Sequence, residues 1–254
     1  MTANEDGIEV GIERQGAVGV VRYCRPPENY FSVSLIDALG DAFEALDNEP
    51  AIRCVVLAAG GRNFCAGAEL ARDEIEPDHL YTAAHRLFAT RKPIVAAVQG
   101  AAIGGGMGLA LVADFRVVAP STRMAVNFVK IGIHPGFATT LLLPRLVGMQ
   151  RATDLLYTGR RVGGEEAFAM GLADRLVEEE KILTEAVDLA SRIAANAPLA
   201  VEETRATMRA GLLHAIAEQT AIEARKQVQL RETADFAEGV LAVAERRAGN
   251  WQRR

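Results

Sequence analysis

An α/β fold built on a mostly parallel sheet is predicted by three features of this 254-residue sequence. Short apolar runs rich in β-branched residues recur at 52–57, 94–98 and 117–119, segments of helical period lie between them, and glycine-containing loops follow the first two runs. Strands of a sheet covered on both faces read as continuous apolar runs rather than as apolar–polar alternation, and parallel strands need long, usually helical connections.

The elements follow in order. Residues 10–13 and 18–23 read as two short strands joined by a turn at Gln15 and Gly16. Pro26 and Pro27 interrupt regular structure, and residues 34–46 then place Leu35, Leu39, Phe43 and Leu46 along one side of a helix. The run at 52–57, apolar except for Arg53, reads as a buried strand, and a loop follows at 60–67. The same unit recurs: a helix at 79–89 ended by Pro93, a strand at 94–98, a loop at 100–108 leading into an apolar helix through Ala113, and a strand at 117–119. From Gly136 onward the pattern turns helical, at 139–146, 150–157 and 164–170, punctuated by Gly148, Gly159 and Gly171, and then at 182–194, 202–220 and 236–248. The chain thus divides into a core at 1–196 and a helical region at 197–254. That region has no strand-rich core of its own and is expected to pack on the core or on a neighbouring subunit.

Composition narrows the function. Half of the residues are apolar, and 28 Lys and Arg against 33 Asp and Glu leave a formal charge of −5, which speaks against broad nucleic-acid binding. Cys24, Cys54 and Cys65 are odd in number and widely spaced, so they give neither a disulfide framework nor metal-ligand spacing. A reducing, cytoplasmic compartment is expected. Residues 1–6 lack a basic start and an apolar run, and the longest apolar stretches fall short of a bilayer, so neither a secretion signal nor a membrane association is expected.

Two loops are suited to holding a carbonyl oxygen. In Asn63-Phe64-Cys65-Ala66-Gly67-Ala68-Glu69-Leu70 the small residues leave main-chain N–H groups accessible just beyond a strand; a tight turn with no ligand is the plainer alternative. In residues 99–108 the consecutive glycines Gly104, Gly105 and Gly106 are costly in conformational entropy, so close backbone approach to a ligand or tight helix–sheet packing must justify them. Neither a dinucleotide fingerprint nor a P-loop is present, so NAD and ATP are not expected. If each loop supplies one donor to a common oxygen, near Ala68 and Gly105, the pair would stabilise an enolate or a tetrahedral adduct. Losing one such donor typically costs about 3 kcal/mol of transition-state stabilisation.

These same stretches, with Pro93 to Gly100, Ala113-Asp114-Phe115-Arg116, Gly132-Ile133-His134-Pro135-Gly136, residues 156–160 and residues 169–173, resemble the crotonase, or enoyl-CoA hydratase/isomerase, family. The resemblance spans roughly residues 8 to 250. It implies a spiral of ββα units with a helical C-terminal trimerisation region, in a homotrimer or a dimer of trimers. It also implies a pocket for an acyl-CoA thioester, with coenzyme A as part of the substrate, bound along Ala66 and Ala68, and no tightly held cofactor or metal. The N–H groups of Ala68 and Gly105 would form the oxyanion hole. Hydratases similar to this chain place one Glu shortly after the triple glycine and another twenty residues later; the matching positions here are Gly108 and Phe128, and neither side chain transfers a proton.

Other side chains must then carry any proton transfer. His134 is the first candidate, since an imidazole acts as acid or base near neutral pH; a loop histidine making one structural hydrogen bond is the alternative. Asn127 offers hydrogen bonds but no base, and Phe128 makes the floor apolar. Glu69, Asp73 and Glu74 follow the first loop, as ligand-facing acids or as ordinary first-turn carboxylates. Tyr81 and His85 share a helical face that lines the acyl pocket or packs on a strand. Arg22, Lys92, Arg116, Lys130 and Arg145 are candidate phosphate contacts. Three functions remain open: hydratase/isomerase-like chemistry with non-standard acid–base residues, a β-dicarbonyl or acyl-CoA hydrolase or carbon–carbon lyase using the same oxyanion hole, and a catalytically weak acyl-CoA-binding protein.

Overall fold

In a computed structural model, residues 7–68 and 77–254 are described. The hairpin β1 (Glu9–Gln15) and β2 (Val18–Cys24) opens a six-stranded sheet continued by β3 (Cys54–Ala59), β4 (Ile94–Val98), β6 (Phe115–Val118) and β9 (Arg175–Leu176) in the order β1-β2-β3-β4-β6-β9. Only the hairpin is antiparallel; β2 to β9 run parallel. Alternate side chains of each strand enter different cores, as the pleat requires. Val20, Val56, Val95 and Val117 pack on α7 (Ile182–Ala194) through Ala186, Leu189 and Ala190, whereas Val21, Leu57, Ala96 and Val98 join the larger core with α1 (Val33–Asp47) and α2 (Pro77–Ala89). Burial on both faces explains why these strands read as unbroken apolar runs. Helix α1 begins where the Ser32 side chain accepts the Leu35 N–H.

Several elements differ from the sequence expectation. The glycine-containing loop after β4 holds a three-residue strand, β5 (Ala101–Ile103), which joins β7 (Arg123–Ala125) and β8 (Arg161–Gly163) in a second sheet. Such short strands owe their conformation to distant partners, which local periodicity does not report. For the same reason the part after Gly136 is not purely helical, since β8 and β9 lie within it. The helix α3 (Gly105–Ala110) ends before Ala113. The helix expected at 202–220 is two, α8 (Pro198–Met208) and α9 (Leu212–Arg231), broken at Gly211, whose φ of +75° no helix accommodates.

Helix α9 packs on α2 and on α4 (Thr139–Val147), while α10 (Ala234–Ala244) lies against the 3-10 turn Asn127–Ile131. In α8, by contrast, no residue is buried. Helices α5 (Met149–Thr158) and α6 (Gly164–Ala169) complete the chain. Among the described residues no helix is long and apolar enough to cross a membrane, and no group of three or more His, Cys, Asp or Glu side chains could hold a metal ion. Cys24, Cys54 and Cys65 are free thiols, and burial pushes those of Cys54 and Cys65 up to about 12.

Two basic residues read as phosphate contacts are instead structural. Arg116, 1% exposed, donates to the Leu172 and Ala113 carbonyls, both at 2.7 Å, and to Asp174 at 3.0 Å. Lys92 is buried with its ammonium on the Leu46 and Glu49 carbonyls. A buried cation needs this dense a set of acceptors to replace its hydration. Replacing Arg116 with Met strands two buried carbonyls, so Arg116→Met is expected to lower unfolding free energy by on the order of 3 kcal/mol, read by urea denaturation. A loss below about 1 kcal/mol would show that water replaces the guanidinium at this site.

Candidate active site

The two loops are brought together by asparagines. Asn29 donates to the Gly60 and Asn63 carbonyls, each at 2.7 Å, and Asn63 accepts the Ala101 N–H at 2.9 Å while donating to Glu28. The main chains then pair directly: Cys65 N–H to Ala101 O at 2.8 Å, Ile103 N–H to Cys65 O at 3.0 Å, and Phe31 N–H to Gly67 O at 3.0 Å. Residues 65–68 and 101–105 thus run side by side and end at one cavity of about 410 Å3.

Protein atoms, not open space, stand where the missing side chains of the triple-glycine segment would be. A Cβ on Gly105 would lie 2.0 Å from Cε1 of Phe31, one on Gly106 2.3 Å from the Cys65 carbonyl oxygen, and one on Gly108 2.4 Å from Cβ of Phe137. Tight packing therefore accounts for these three glycines. Even so, Ala66, Gly67, Ala68, Gly104 and Gly105 all line the cavity. Among the described residues, neither the Ala68 nor the Gly105 N–H has a main-chain acceptor, whereas the Ala66 N–H is given to the Glu28 carbonyl at 3.2 Å.

Phe128 and Asn127 line the cavity, but Gly108 lies behind it, under Phe137. Phe137 was not singled out in the sequence. It lines the cavity with φ +59°, next to Ala138 at φ +56°, and meets Phe31 and Phe88 at ring distances of 6.4 and 6.0 Å. Two successive left-handed residues without glycine cost of order 1–3 kcal/mol each and need outside support. That support comes from α2 and α9. Glu223 accepts the Ala138 N–H at 2.8 Å and the Thr140 hydroxyl, Tyr81 Oη accepts the Phe137 N–H at 3.3 Å, and Gln227 donates to the His134 carbonyl at 3.1 Å. Tyr81 in turn donates to Gln227 at 3.3 Å.

The remaining sequence candidates fall in different places. Tyr81 lines the cavity, and burial raises its hydroxyl pKa, with the charge of Glu223 adding to the effect. The His134 ring, half-buried, donates from Nδ1 to the Pro135 carbonyl at 2.7 Å and is not among the cavity-lining residues. His85 also lies off the cavity, 2.8 Å from the Thr220 hydroxyl, and burial lowers its pKa. Glu69, Asp73 and Glu74 lie outside the described residues. Gln227 and Arg231 of α9 and Val240, Val243 and Ala244 of α10 also line the cavity. No local pattern marked them, because they reach the site from far along the chain. Among the described lining residues there is no carboxylate and no histidine. Apart from Tyr30, Tyr81, Asn127, Gln227 and Arg231 the described lining is apolar or glycine, and it includes Ala68 and Gly105. Such a site can polarise an oxygen and exclude water.

The sequence profile of the enoyl-CoA hydratase/isomerase family matches residues 13–254. The chain is similar to the crotonyl-CoA hydratase of Syntrophomonas wolfei, at 33% identity over 94% of this chain and 96% of that protein. It is similar to an enoyl-CoA hydratase of Mycobacterium tuberculosis, at 33% identity over the full length of both. Its fold matches the crystal structure of an enoyl-CoA hydratase/isomerase from Pseudoalteromonas atlantica with a TM-score of 0.88 and 29% identity, covering 96% of this chain and 99% of the other.

Two measurements test the packing described here. Gly108→Ala is expected to destabilise the fold by about 1–3 kcal/mol, and combining it with Phe137→Ala to cost less than the sum of the single changes, since the second relieves the clash of the first. The second concerns Glu223, whose burial outweighs its hydrogen bonds and pushes its pKa up to about 7 from 4.5. A carboxyl that holds its proton more tightly when folded stabilises fully below about pH 4.5 and loses that contribution as pH rises through 7, a change of roughly 3 kcal/mol. Unfolding titrations between pH 5 and 8 should show this slope flattened in Glu223→Gln.

Proposed function

This chain belongs to the enoyl-CoA hydratase/isomerase family, and from that membership we propose an enzyme that holds the carbonyl oxygen of an acyl-CoA thioester between the main-chain N–H groups of Ala68 and Gly105. The observation that carries the reading is that both residues border one cavity and that neither N–H has a main-chain acceptor among the described residues. Two donors aimed at one oxygen favour the enolate over the ground-state thioester, because negative charge gathers there only as the reaction proceeds. Coenzyme A enters as part of the substrate, along Ala66 and Ala68. The helical region from residue 197 is where three copies, or two sets of three, assemble.

The proton chemistry departs from the two-glutamate pattern, since Gly108 and Phe128 occupy those positions. Phe137 fills the space beside Gly108, so no longer side chain fits there without displacing it. Tyr81 and Tyr30 are the hydroxyl-bearing side chains of the described lining. The raised pKa of Tyr81 keeps it neutral at pH 7, as a hydrogen-bond or proton donor rather than a base. Asn127 can orient a polar group of the substrate. His134 belongs to the loop that frames the cavity, but reaching the substrate requires its ring to leave the Pro135 carbonyl.

A second reading, carbon–carbon cleavage at the same oxyanion hole, is favoured by one observation: among the described lining residues there is no carboxylate to activate water, which hydration and hydrolysis both require. Bond cleavage that leaves an enolate needs the oxygen held, which the donor pair supplies, and a proton returned to carbon; the Tyr81 hydroxyl would give it by breaking its bond to Gln227, and the phenolate would regain a proton from solvent.

Product mass spectrometry across a panel of acyl-CoA thioesters separates the two, since hydration adds one water to an intact thioester and cleavage shortens the acyl skeleton. In either case Ala68→Pro, which removes one donor, is expected to lower kcat about a hundredfold with circular dichroism unchanged. Tyr81→Phe should lower kcat more than His134→Ala. Full turnover in Ala68→Pro would reject the oxyanion role.

A further inference from the structure

The inward face of α9 carries, alongside the core residues Ile216 and Ala224, polar residues that are matched in turn. Thr220 meets His85 at 2.8 Å, Glu223 takes the Ala138 N–H and the Thr140 hydroxyl, and Gln227 is bonded to both Tyr81 and the His134 carbonyl. One turn further, Arg231 breaks the series. Its side chain lines the cavity, its Nε is buried with no hydrogen-bond partner, and the guanidinium lies 5.5 Å from the centre of the Phe236 ring. No carboxylate among the described residues forms an ion pair with it. Of the carboxylates that follow it in the chain, Glu232 is exposed, Asp235 accepts the Gln252 and Arg253 N–H groups, and Glu238 pairs with Arg247.

A guanidinium is never deprotonated near neutral pH and presents a planar fork of donors suited to a carboxylate. Half-buried in a cavity also lined by Leu80, Ile131 and Val240, Arg231 has among the described residues no carboxylate partner of the kind that the fully buried Arg116 has in Asp174. Aromatic contact with Phe236 offsets only part of that deficit, and Tyr81 is neutral. The cavity that Arg231 lines is open to an anion that would supply this partner.

We propose that Arg231 recognises a carboxylate at the far end of the acyl chain, so that the substrate is the coenzyme A monothioester of a short dicarboxylic acid. This rests on the acyl-CoA reading above, with the thioester oxygen at Ala68 and Gly105 and the acyl group running toward α9. The Arg231 fork grips the distal carboxylate, and the apolar wall between the two ends accepts the intervening carbons. Arg231 is thus a specificity-determining residue rather than a catalytic one.

The test is a binding series by titration calorimetry with glutaryl-CoA, its terminal methyl ester, butyryl-CoA and free coenzyme A. Wild-type protein should bind glutaryl-CoA at least tenfold more tightly than the methyl ester. Arg231→Met should erase that preference while leaving butyryl-CoA and free coenzyme A within about twofold of wild type, and Arg231→Lys should restore part of it. Binding of butyryl-CoA with no preference for the carboxylate in wild type overturns the role of Arg231 and leaves the acyl-CoA reading standing. An equal loss for all four compounds in Arg231→Met also overturns it, assigning the guanidinium to a coenzyme A phosphate. Binding of none of the compounds to folded wild-type protein removes both readings together.

Discussion

The site depends on how closely residues 65–68 and 101–106 run past each other. Their main chains are hydrogen-bonded, and at Gly106 the separation leaves no room for even one carbon atom beside the Cys65 carbonyl. From both segments the residues that reach the cavity are small, Ala66, Gly67 and Ala68 from one and Gly104 and Gly105, with Ile103, from the other. Asn29 and Asn63 hold the arrangement by bonding across three chain segments, so the approach of the two loops is set by amide side chains buried beyond the ends of β2 and β3. Phe31 then closes over Gly105 and ties the first loop of the chain to the same wall.

Opposite this wall, α9 holds a loop that does not hold itself. Phe137 and Ala138 adopt a backbone conformation that their side chains disfavour, and Glu223, Gln227 and Tyr81 bond to the loop's main chain around them. The consequence is that a helix more than eighty residues away fixes the ring that lies over Gly108. The same helix carries Arg231 into the cavity, so support of the loop and part of the cavity lining are properties of one element. Burial raises the Glu223 pKa and, by removing water, strengthens every dipole that the site directs at a substrate.

Much of this was legible beforehand, for physical reasons. The strands β2, β3 and β4 were recognisable because burial on both faces demands unbroken apolar runs, and α1 and α7 because one buried face imposes a helical period. The glycines at 104–106 announced close approach, but not to what. The structure answers that Gly105, Gly106 and Gly108 meet Phe31, Cys65 and Phe137, while Gly105 still borders the cavity. Arg116 and Lys92 looked like phosphate contacts because a charge in a sequence carries no mark of burial; each is enclosed by carbonyl oxygens supplied from distant turns. The strands β5, β7 and β8 went unseen since three residues are too few to show a period.

By itself, then, the sequence determined the α/β class, the two glycine-containing loops that follow apolar strands, and the presence at 108 and 128 of residues whose side chains transfer no proton, since each of these is a matter of local residue type. Tertiary structure alone decided which side chains share the cavity with those loops. It brought in Phe137, Gln227 and Arg231 and left the rings of His85 and His134 outside the lining. The reason is that side-chain proximity across α2, the 134–140 loop and α9 is created by packing, and packing joins residues that no spacing along the chain relates.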